Sequence, residues 1–515
     1  MPQKPASETV PKILDLPIGI KAKGERKEFD SLGDVMVPAD RYWGAQTQRS
    51  LQHFNIGHDK MPHEVYHAYG FVKKAAAIVN TNAGRLPAWK GQLIQKVCDE
   101  VTSGQLDTEF PLYVWQTGSG TQSNMNVNEV ISNRCIQLVG GKLGSQEPIH
   151  PNDHVNMGQS SNDTFPTAMH IAAYTMVTSK TIPALRKLQK SLEKNSRKWD
   201  KVVKIGRTHL EDATPLTVGQ EWSGYASALA EVIVQLEQMS QGLLQLAMGG
   251  TAVGTGLNSP QGFGEDVAKV LSKLTGYPFK TATNKFAAQG TLDKLVAAHA
   301  GLKLAAVTLF KIANDMRWLG SGPRTGLQEL ILPSNEPGSS IMPGKVNPTQ
   351  AEAMLMVCIQ IMSSDVAVQW GGSEGNFELN AFRPILINNY LHSALILGDM
   401  ADHFREYMIE GAQLNRKKIE ENIANSVMMV TALSPIIGYD QASVISHYAI
   451  DHGLTLKQAA LANGVTEELY DRVVVPLNMT HPDKPAAAVK VKPKAKAAVK
   501  PKPAAKPVKK AVGKK

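Results

Sequence analysis

Long apolar stripes with helical spacing constrain the fold of this chain more than any other feature. In residues 220–246, apolar side chains recur at alternating spacings of four and three, which lines one face of a helix. This stripe consists of Tyr225, Leu229, Val232, Leu236, Met239 and Leu243. A second stripe in residues 291–319 consists of Leu302, Ala306, Leu309, Ala313, Met316 and Leu319, and similar patterns occupy residues 64–82, 166–198, 351–370 and 384–410. Each stripe needs a partner helix, so the sequence predicts a mainly α fold with a bundle of long helices.

Little of the sequence favours a β-sheet. Short β-rich runs such as residues 201–205 can pair locally, but strands and helices do not alternate as they do in doubly wound folds. We interpret the apolar stripes as core packing rather than as cofactor contacts. With 515 residues, the chain is long enough for several domains of roughly 100–200 residues each.

Cysteine usage indicates a reducing compartment. The three cysteines, Cys98, Cys135 and Cys358, lie far apart and outside any CxxC spacing. This argues against a disulfide framework and against a local zinc site. The same lack of clustering disfavours an iron–sulfur ligand set. The sequence therefore predicts a cytoplasmic protein with no metal and no cofactor.

The ends of the chain differ from its body. Residues 1–28 mix acidic residues with lysines and lack an apolar core, so we interpret them as a flexible leader rather than as a secretory signal. No segment has the roughly 18 uncharged apolar residues of a membrane helix. We expect no membrane span.

The basic character of the chain belongs to its last residues. The net charge is +9, but residues 482–515 alone hold twelve lysines and one aspartate, so residues 1–481 carry about −2. This Lys/Ala/Pro-rich tail lacks the apolar content needed to order it and is predicted to be disordered. Two interpretations remain open: a solubilising appendage, or a polycation that binds nucleic acid or anionic surfaces without reading sequence.

Residues 338–348 combine glycines, hydroxyls, a cation and an amide. Pro337, Pro343 and Pro348 cannot continue regular hydrogen bonding, and Gly338 and Gly344 permit unusual backbone angles, so the segment is predicted to be a loop. Its polar members are Ser339, Ser340, Lys345 and Asn347. Such a set of side chains is suited to binding a carboxylate.

Four further polar segments interrupt the helical patterns. Residues 117–126 offer hydroxyls and amides ahead of a helix expected to start near Asn126, either as an anion site or as a simple capping loop. Residues 150–163 are rich in donors, and His150, Asp153 and His154 are metal-ligand types, although polar contacts to a small acid fit better.

The third and fourth segments differ in the chemistry they offer. Residues 206–215 place His209 among charged neighbours, where a histidine can either transfer protons or serve as a structural residue. Residues 249–256 are glycine-rich but do not match a phosphate-binding motif, so a tight turn between helices is expected.

Taken together, these segments resemble the fumarase/aspartase superfamily, and most closely the class II fumarases, the iron-independent fumarate hydratases. The resemblance extends from residues 40–47 to residues 438–440 and includes the superfamily signature Gly338-Ser339-x-x-Met342-x-x-Lys345-x-Asn347. Three details resemble fumarases rather than their relatives: residues 343–345, residues 206–209 and residues 156–162. An aspartate ammonia-lyase is the alternative within the superfamily. A binding protein whose tail carries the function is the alternative outside it.

The resemblance implies an all-α subunit of three domains whose central helices form a homotetramer, with each active site built from three subunits. The domains expected are residues 29–160, residues 161–415 and a small C-terminal domain of residues 416–481. It also implies a lyase of the tricarboxylic acid cycle that hydrates fumarate reversibly to (S)-malate, by acid–base catalysis through an aci-carboxylate intermediate.

Site residues follow from the same resemblance, position by position. Ser339 matches the base that removes the C3 proton of malate, His209 the histidine that acts through a water on the departing hydroxyl, and Glu352 the carboxylate that orients this histidine. The matched substrate-binding residues are Ser119, Gly120, Thr121, Ser160, Ser161, Asn162, Thr208, Ser340, Lys345, Val346 and Asn347. A second anion site of the family matches His150, Pro151, Asn152 and Asp153.

Overall fold

The structure is a computed structural model that describes residues 10–482. The first nine residues of the predicted leader, and the predicted tail from residue 483 onward, lie outside the described residues. Within residues 10–482 the α-helices are α1 Ala45–His53, α2 His63–Asn82, α3 Ala88–Thr102, α4 Thr121–Leu138, α5 Ser161–Met176, α6 Ile182–Lys198, α7 Val218–Ser240, α8 Phe263–Thr275, α9 Lys285–Gly290, α10 Asp293–Leu319, α11 Thr349–Ser373, α12 Arg383–Phe404, α13 Arg416–Asn425, α14 Ser434–Ile437, α15 Tyr439–His452, α16 Leu456–Ala462 and α17 Glu467–Val473. The mainly α class is confirmed.

Strands are short and pair in twos across the described part of the chain. They are β1 Glu25–Asp30, β2 Gly33–Pro38, β3 Val203–Thr208, β4 Glu211–Thr217, β5 Gln245–Leu246, β6 Lys280–Thr281, β7 Leu330–Ile331 and β8 Gln413–Leu414. β1 pairs with β2, β3 with β4, β5 with β6 and β7 with β8. β1 and β2 are antiparallel, with Glu25 opposite Pro38 and Asp30 opposite Gly33. The local pairing expected near residues 201–205 is present as β3.

The described residues divide into two compact units. One comprises residues 10–206 and 216–426, and the other comprises residues 207–215 and 427–482. The second unit holds α14 to α17 and the tip of the β3–β4 hairpin. The three-domain boundaries expected from the family resemblance stay a prediction.

Long helices form the centre of the first unit. α7 packs against α6 and α10, and α11 packs against α10 and α12. The predicted stripe on α10, from Leu302 to Leu319, is buried throughout. The stripe on α7 is buried from Tyr225 to Leu236, whereas Met239 is 37% exposed at its margin. The periodicity therefore identified the helix faces that form the core.

A second group of helices packs beside these. α2 contacts α3, α4 and α5, and α4 also contacts α3 and α5. Part of the segment predicted as a flexible leader is held against α4: Leu14 N donates to Leu138 O at 2.7 Å, and Arg134 Nη2 donates to Leu16 O at 2.8 Å. The prediction of flexibility does not hold for these leader residues, because their backbone groups hydrogen-bond to α4.

Helices α10 and α11 are long and apolar enough to cross a membrane by length and composition, each with a mean hydropathy of 1.5. These hydropathy values refer to an 18-residue stretch of each helix, of which 50% in α10 and 44% in α11 is buried inside the chain. Burial against other helices is the usual environment of core helices in a bundle.

Candidate active site

Three hydroxyl groups from two of the polar segments form a hydrogen-bonded chain. Ser119 Oγ and Thr121 Oγ1 lie 2.8 Å apart, and Thr121 Oγ1 lies 2.8 Å from Ser161 Oγ. Each side chain is only partly buried. Because a hydroxyl both donates and accepts hydrogen bonds, these three groups can rotate to point their protons toward an incoming anion. We refer to Ser119, Thr121 and Ser161 as the hydroxyl cluster.

The hydroxyl cluster lies at the N-terminus of α4, which begins at Thr121 and not near Asn126 as the sequence predicted. Gly120 has a left-handed φ of 79°, and Asn124 N already donates to Gly120 O at 3.0 Å. In this first turn, Thr121 N lies 3.4 Å from Ser119 Oγ and Ser123 N donates to Gln116 Oε1 at 3.2 Å, so it is the positive end of the helix dipole that favours an anion beside Ser119.

A buried arginine from a distant part of the chain supports this loop. Arg383 N donates to Gly118 O at 3.1 Å, and Arg383 Nη1 lies 3.4 Å from Ser119 O. A Cβ atom at Gly118 would lie 1.3 Å from the carbonyl oxygen of Ala381, so this close approach requires glycine. Burial lowers the pKa of Arg383 to about 10. The sequence analysis did not identify Arg383.

The second segment is held at the start of α5 by a capping box. Ser160 Oγ accepts from Asn162 N at 3.1 Å, and Asp163 Oδ1 accepts from Ser160 N at 2.9 Å. Two further backbone groups, Gly249 N and Thr251 N, donate to Asp163 Oδ2 at 3.0 Å each. Burial raises the pKa of Asp163 to about 6, against the effect of these donors.

The glycine-rich fourth segment is a turn, as predicted, but it also supports the second segment. Besides the two donors to Asp163, Ala252 O accepts from Asn162 Nδ2 at 2.8 Å. The backbone of residues 249–252 therefore fixes the start of α5.

The loop of residues 338–348 closes on itself. Gly338 N donates to Lys345 O at 2.9 Å, and Asn347 Nδ2 donates to Gly338 O at 2.6 Å. Inside this turn, Ser339 Oγ accepts from two backbone groups, Ile341 N at 3.2 Å and Met342 N at 3.0 Å. Two N–H donors aimed at one oxygen stabilise negative charge there.

The remaining predicted residues of this loop face outward. Ser340 and the Lys345 side chain are exposed, and Val346 is 46% exposed. Glu352 is exposed in the first turn of α11, directly after the loop, where a helix N-terminus favours a carboxylate.

Thr208 and His209 lie in the other compact unit, at the tip of the β3–β4 hairpin. His209 and Leu210 both have positive φ values, 58° and 66°. Two such residues between paired strands form the turn that suits hairpin twist, and asparagine or glycine usually occupies it. A histidine and an exposed leucine there are strained, and such strain concentrates at functional sites.

The residues matched to a second anion site form one short turn. Pro151–Val155 is a single π-helical turn, and His150 Nδ1 accepts from Asn152 N and Asp153 N at 3.1 Å each. A neighbouring cavity of about 300 Å³ is lined by His150, Pro151, Asn152 and three carboxylates, Glu28, Asp30 and Glu129. Burial raises the pKa of Glu28 and brings that of Glu129 to about 7, with Glu28 adding to the effect on Glu129.

The described residues do not assemble a metal site of three or more His, Cys, Asp or Glu ligands. Cys98, Cys135 and Cys358 are buried, unpaired thiols.

The sequence analysis also missed Lys73, which lies fully buried on α2 beneath the second segment. The sequence does contain a pattern that indicates burial of Lys73. Tyr69, Lys73 and Ala76 share one helix face at spacings of four and three, and a lysine on such a buried face is rare.

Comparisons with known proteins agree with this fold. A family model described as "Lyase" matches residues 33–363, and a second, described as "Fumarase C C-terminus", matches residues 429–481. These matches define the chain as a helical lyase.

Individual relatives define the family within this class of lyases. A protein named fumarate hydratase class II from Methanosarcina acetivorans is 64% identical over 471 residues, which cover 91% of this chain and 97% of the relative. A mitochondrial fumarate hydratase from Rhizopus oryzae is 55% identical over 88% of this chain and 92% of its own length. The crystal structure of a class II fumarase from Schistosoma mansoni superposes with a TM-score of 0.87 at 42% identity, covering 90% of this chain and 100% of that chain. The chain belongs to the class II fumarate hydratase family of lyases.

Proposed function

We propose that this enzyme hydrates fumarate reversibly to (S)-malate by acid–base catalysis through an aci-carboxylate intermediate. The observation that carries this proposal is the position of Ser339 Oγ, which accepts hydrogen bonds from Ile341 N and Met342 N. A serine hydroxyl is a poor base in water. Two fixed backbone donors stabilise its alkoxide and so make proton removal by Ser339 feasible.

In the malate-to-fumarate direction, Ser339 takes the proton from C3, and the charge moves onto the adjacent carboxylate. Lys345 supplies a fixed cation for that dianion. Asn347 has two amide hydrogens; one closes the loop onto Gly338, and the other remains to donate to the substrate. Stabilising the dianion more than malate itself lowers the barrier.

His209 then acts through a water on the departing hydroxyl, with Glu352 orienting the imidazole. The strained turn at the hairpin tip supports this role for His209, because a non-glycine residue kept at positive φ carries a cost that function can offset. Proton transfer by a positioned group contributes roughly 10²–10⁴ in rate.

The substrate carboxylates are bound by the hydroxyl cluster, with Ser160, Asn162, Thr208 and Ser340 as further donors. The support for this assignment is the position of the cluster hydroxyls at the N-terminus of α4, where the helix dipole favours an anion. A second anion site at His150, Pro151, Asn152 and Asp153 is part of the same proposal.

We also propose a homotetramer in which each active site takes segments from three subunits. The support is a row of exposed apolar side chains along α11, formed by Met356, Ile359, Val366 and Trp370, of which Met356 is 65% and Trp370 69% exposed. A second copy of the chain would cover such a face. A cytoplasmic location is proposed on the basis of the buried free thiols.

The direct test is the appearance of fumarate, followed by ultraviolet absorbance, when protein treated with a chelator is given (S)-malate. Turnover supports the proposal, and its absence refutes it. Aspartate offered in place of malate, with release of ammonia measured, tests the aspartate ammonia-lyase alternative.

The basic tail is tested separately because it lies outside the described residues. Salt-sensitive retention on DNA that is lost on deletion of residues 482–515, with malate turnover unchanged, would support polyanion binding as an added role. Retention that survives the deletion would refute it.

A further inference from the structure

A lysine ammonium lies buried behind the second polar segment. Lys73, on α2, is 0% exposed. Its Nζ atom donates to three side-chain oxygens: Asn124 Oδ1 at 2.7 Å, Asn156 Oδ1 at 2.9 Å and Gln159 Oε1 at 3.1 Å. An ammonium group has three donors, so each donor has one acceptor.

These three acceptors belong to the segments that carry the hydroxyl cluster. Asn124 lies one turn after Thr121 on α4, and its Oδ1 also accepts from Thr164 Oγ1 of α5 at 3.1 Å. Asn156 Nδ2 donates to Gln159 O at 3.1 Å, immediately before Ser160. Lys73 therefore connects α2, α4 and the approach to α5 through one atom.

A buried cation in this position is costly unless its surroundings compensate for it. Burial lowers the pKa of Lys73 to about 7, and the negative charge of Asp163 opposes that change. The Tyr69 ring lies 5.7 Å from Nζ. An apolar side chain of similar length would pack here at lower electrostatic cost. A contribution to folding stability therefore does not explain why a cation is present here. The side chains that the Lys73 ammonium holds in place explain it better.

We propose that Lys73 is a positioning residue that sets the distance between Thr121 and Ser161, and thereby the carboxylate-binding geometry. This inference rests on the proposed hydratase function. Without the ammonium, three amide oxygens lose their donor, and the start of α5 is free to shift relative to α4. A displacement of about 1 Å in a positioning element can reduce catalysis on the order of 10²-fold.

The adjacent lysine provides a matched control. The Lys74 side chain is 19% exposed, and its Nζ donates to Asp99 Oδ1 at 2.5 Å, on a side chain that is 61% exposed. We expect Lys73→Met to raise KM for malate and to reduce kcat/KM on the order of 10²-fold. Lys74→Met should stay within about twofold of wild type, because an ion pair with an exposed carboxylate contributes little.

The division between kcat and KM separates positioning from a merely structural role. If Lys73 only stabilised the fold, Lys73→Met would lower kcat through loss of active protein and leave KM unchanged. That result overturns the proposal. If Lys73→Met does not fold, Asn156→Ala removes one of the three acceptors of Lys73 and keeps the ammonium; it also removes the bonds of Asn156 with Asn124 Nδ2 and Gln159 O. We expect Asn156→Ala to raise KM about tenfold or more, the effect of one or more lost hydrogen bonds, and an unchanged KM again overturns the proposal.

A thermal melt with and without fumarate separates this proposal from the proposed function. Suppose that the wild-type protein turns over malate and that Lys73→Met has the wild-type KM and the same stabilisation by fumarate. That result refutes the positioning role of Lys73 and leaves the proposed function intact. A wild-type protein that neither turns over malate nor is stabilised by fumarate refutes both.

Discussion

Thr121 and Ser161 share a hydrogen bond of 2.8 Å although they are 40 residues apart in the chain. Each is the first residue of its helix, α4 and α5 respectively. The contact therefore brings two helix N-termini together, and the positive ends of both helix dipoles lie beside it. Such an arrangement favours a dianion more than either terminus alone.

The first prediction concerns this pair. Thr121→Val keeps the shape of the side chain and removes its hydroxyl, so we expect KM for malate to rise about tenfold with a smaller change in kcat. Ser161→Ala should have a similar effect. Steady-state kinetics of both variants and of the double variant test this. Fully additive effects on kcat/KM would argue against the direct contact, because neighbouring residues couple.

The second prediction concerns Ser339. Ser339→Ala removes the oxygen that accepts from Ile341 N and Met342 N, so we expect kcat to fall roughly 10²–10⁴-fold. Ser340→Ala, at the next and exposed position, is the matched comparison and should affect mainly KM. Equal losses of kcat in both variants would contradict the base assignment.

The third prediction uses the backbone at the hairpin tip. Asparagine tolerates positive φ well, so His209→Asn removes the imidazole without adding backbone strain. We expect kcat to fall roughly 10²–10⁴-fold with an unchanged melting temperature. Leu210→Asn, which relieves strain at the neighbouring position, should leave kcat close to wild type. Near-normal kcat in His209→Asn would exclude proton transfer by His209.

The fourth prediction concerns a buried ion pair in the helical core. Asp365 Oδ1 lies 2.9 Å from His299 Nδ1, and Asp365 Oδ2 accepts from Lys303 at 2.5 Å. Burial alone would raise the pKa of Asp365, but these contacts hold that pKa below its ordinary value. A lowered folded-state pKa gives stability that is complete above the ordinary value and is lost as pH falls through the folded-state value.

We therefore expect Asp365→Asn to destabilise the protein at pH 7 by about 1–3 kcal/mol. The difference from wild type should shrink below pH 4. Urea unfolding at pH 7 and at lower pH values measures this. A difference that is constant across the range would show that the carboxylate charge is not responsible.

The fifth prediction concerns the exposed apolar face of α11. Met356→Glu places a charge in this row of side chains, so we expect the assembly to dissociate, with loss of malate turnover where sites are shared. Light scattering coupled to size exclusion gives the mass. Lys269→Glu, an exposed change on α8, controls for added negative charge. An intact assembly in Met356→Glu would exclude this face as the interface.

Sequence periodicity predicted the long helices well because burial and the 3.6-residue repeat act together. The stripe on α10 is the clearest case, since every predicted member is buried. The start of α4 was predicted too late, because Gly120 begins the helix by adopting a left-handed conformation that the local sequence does not require.

The support around the candidate site was harder to predict. Lys73 reaches side-chain oxygens that are 51 to 86 residues away, and Arg383 reaches a carbonyl 264 residues away. The burial of Lys73 could be read from its helix face, but the partners in contacts of this range depend on tertiary packing and leave no local pattern. The positive φ values of His209 and Leu210 were also missed, because leucine is rare in that region and histidine, although enriched there, has negative φ at most positions.

The contact between Gly118 and the segment that starts α12 has a consequence for biosynthesis. A chain still being translated can form α4 and α5 early, yet the carbonyls of Gly118 and Ser119 obtain their arginine donor only after residue 383 has left the ribosome. Until then the loop before α4 lacks its main tertiary support. We expect a nascent chain ending before α12 to be cleaved by protease near residue 118, and the full-length chain to resist cleavage there.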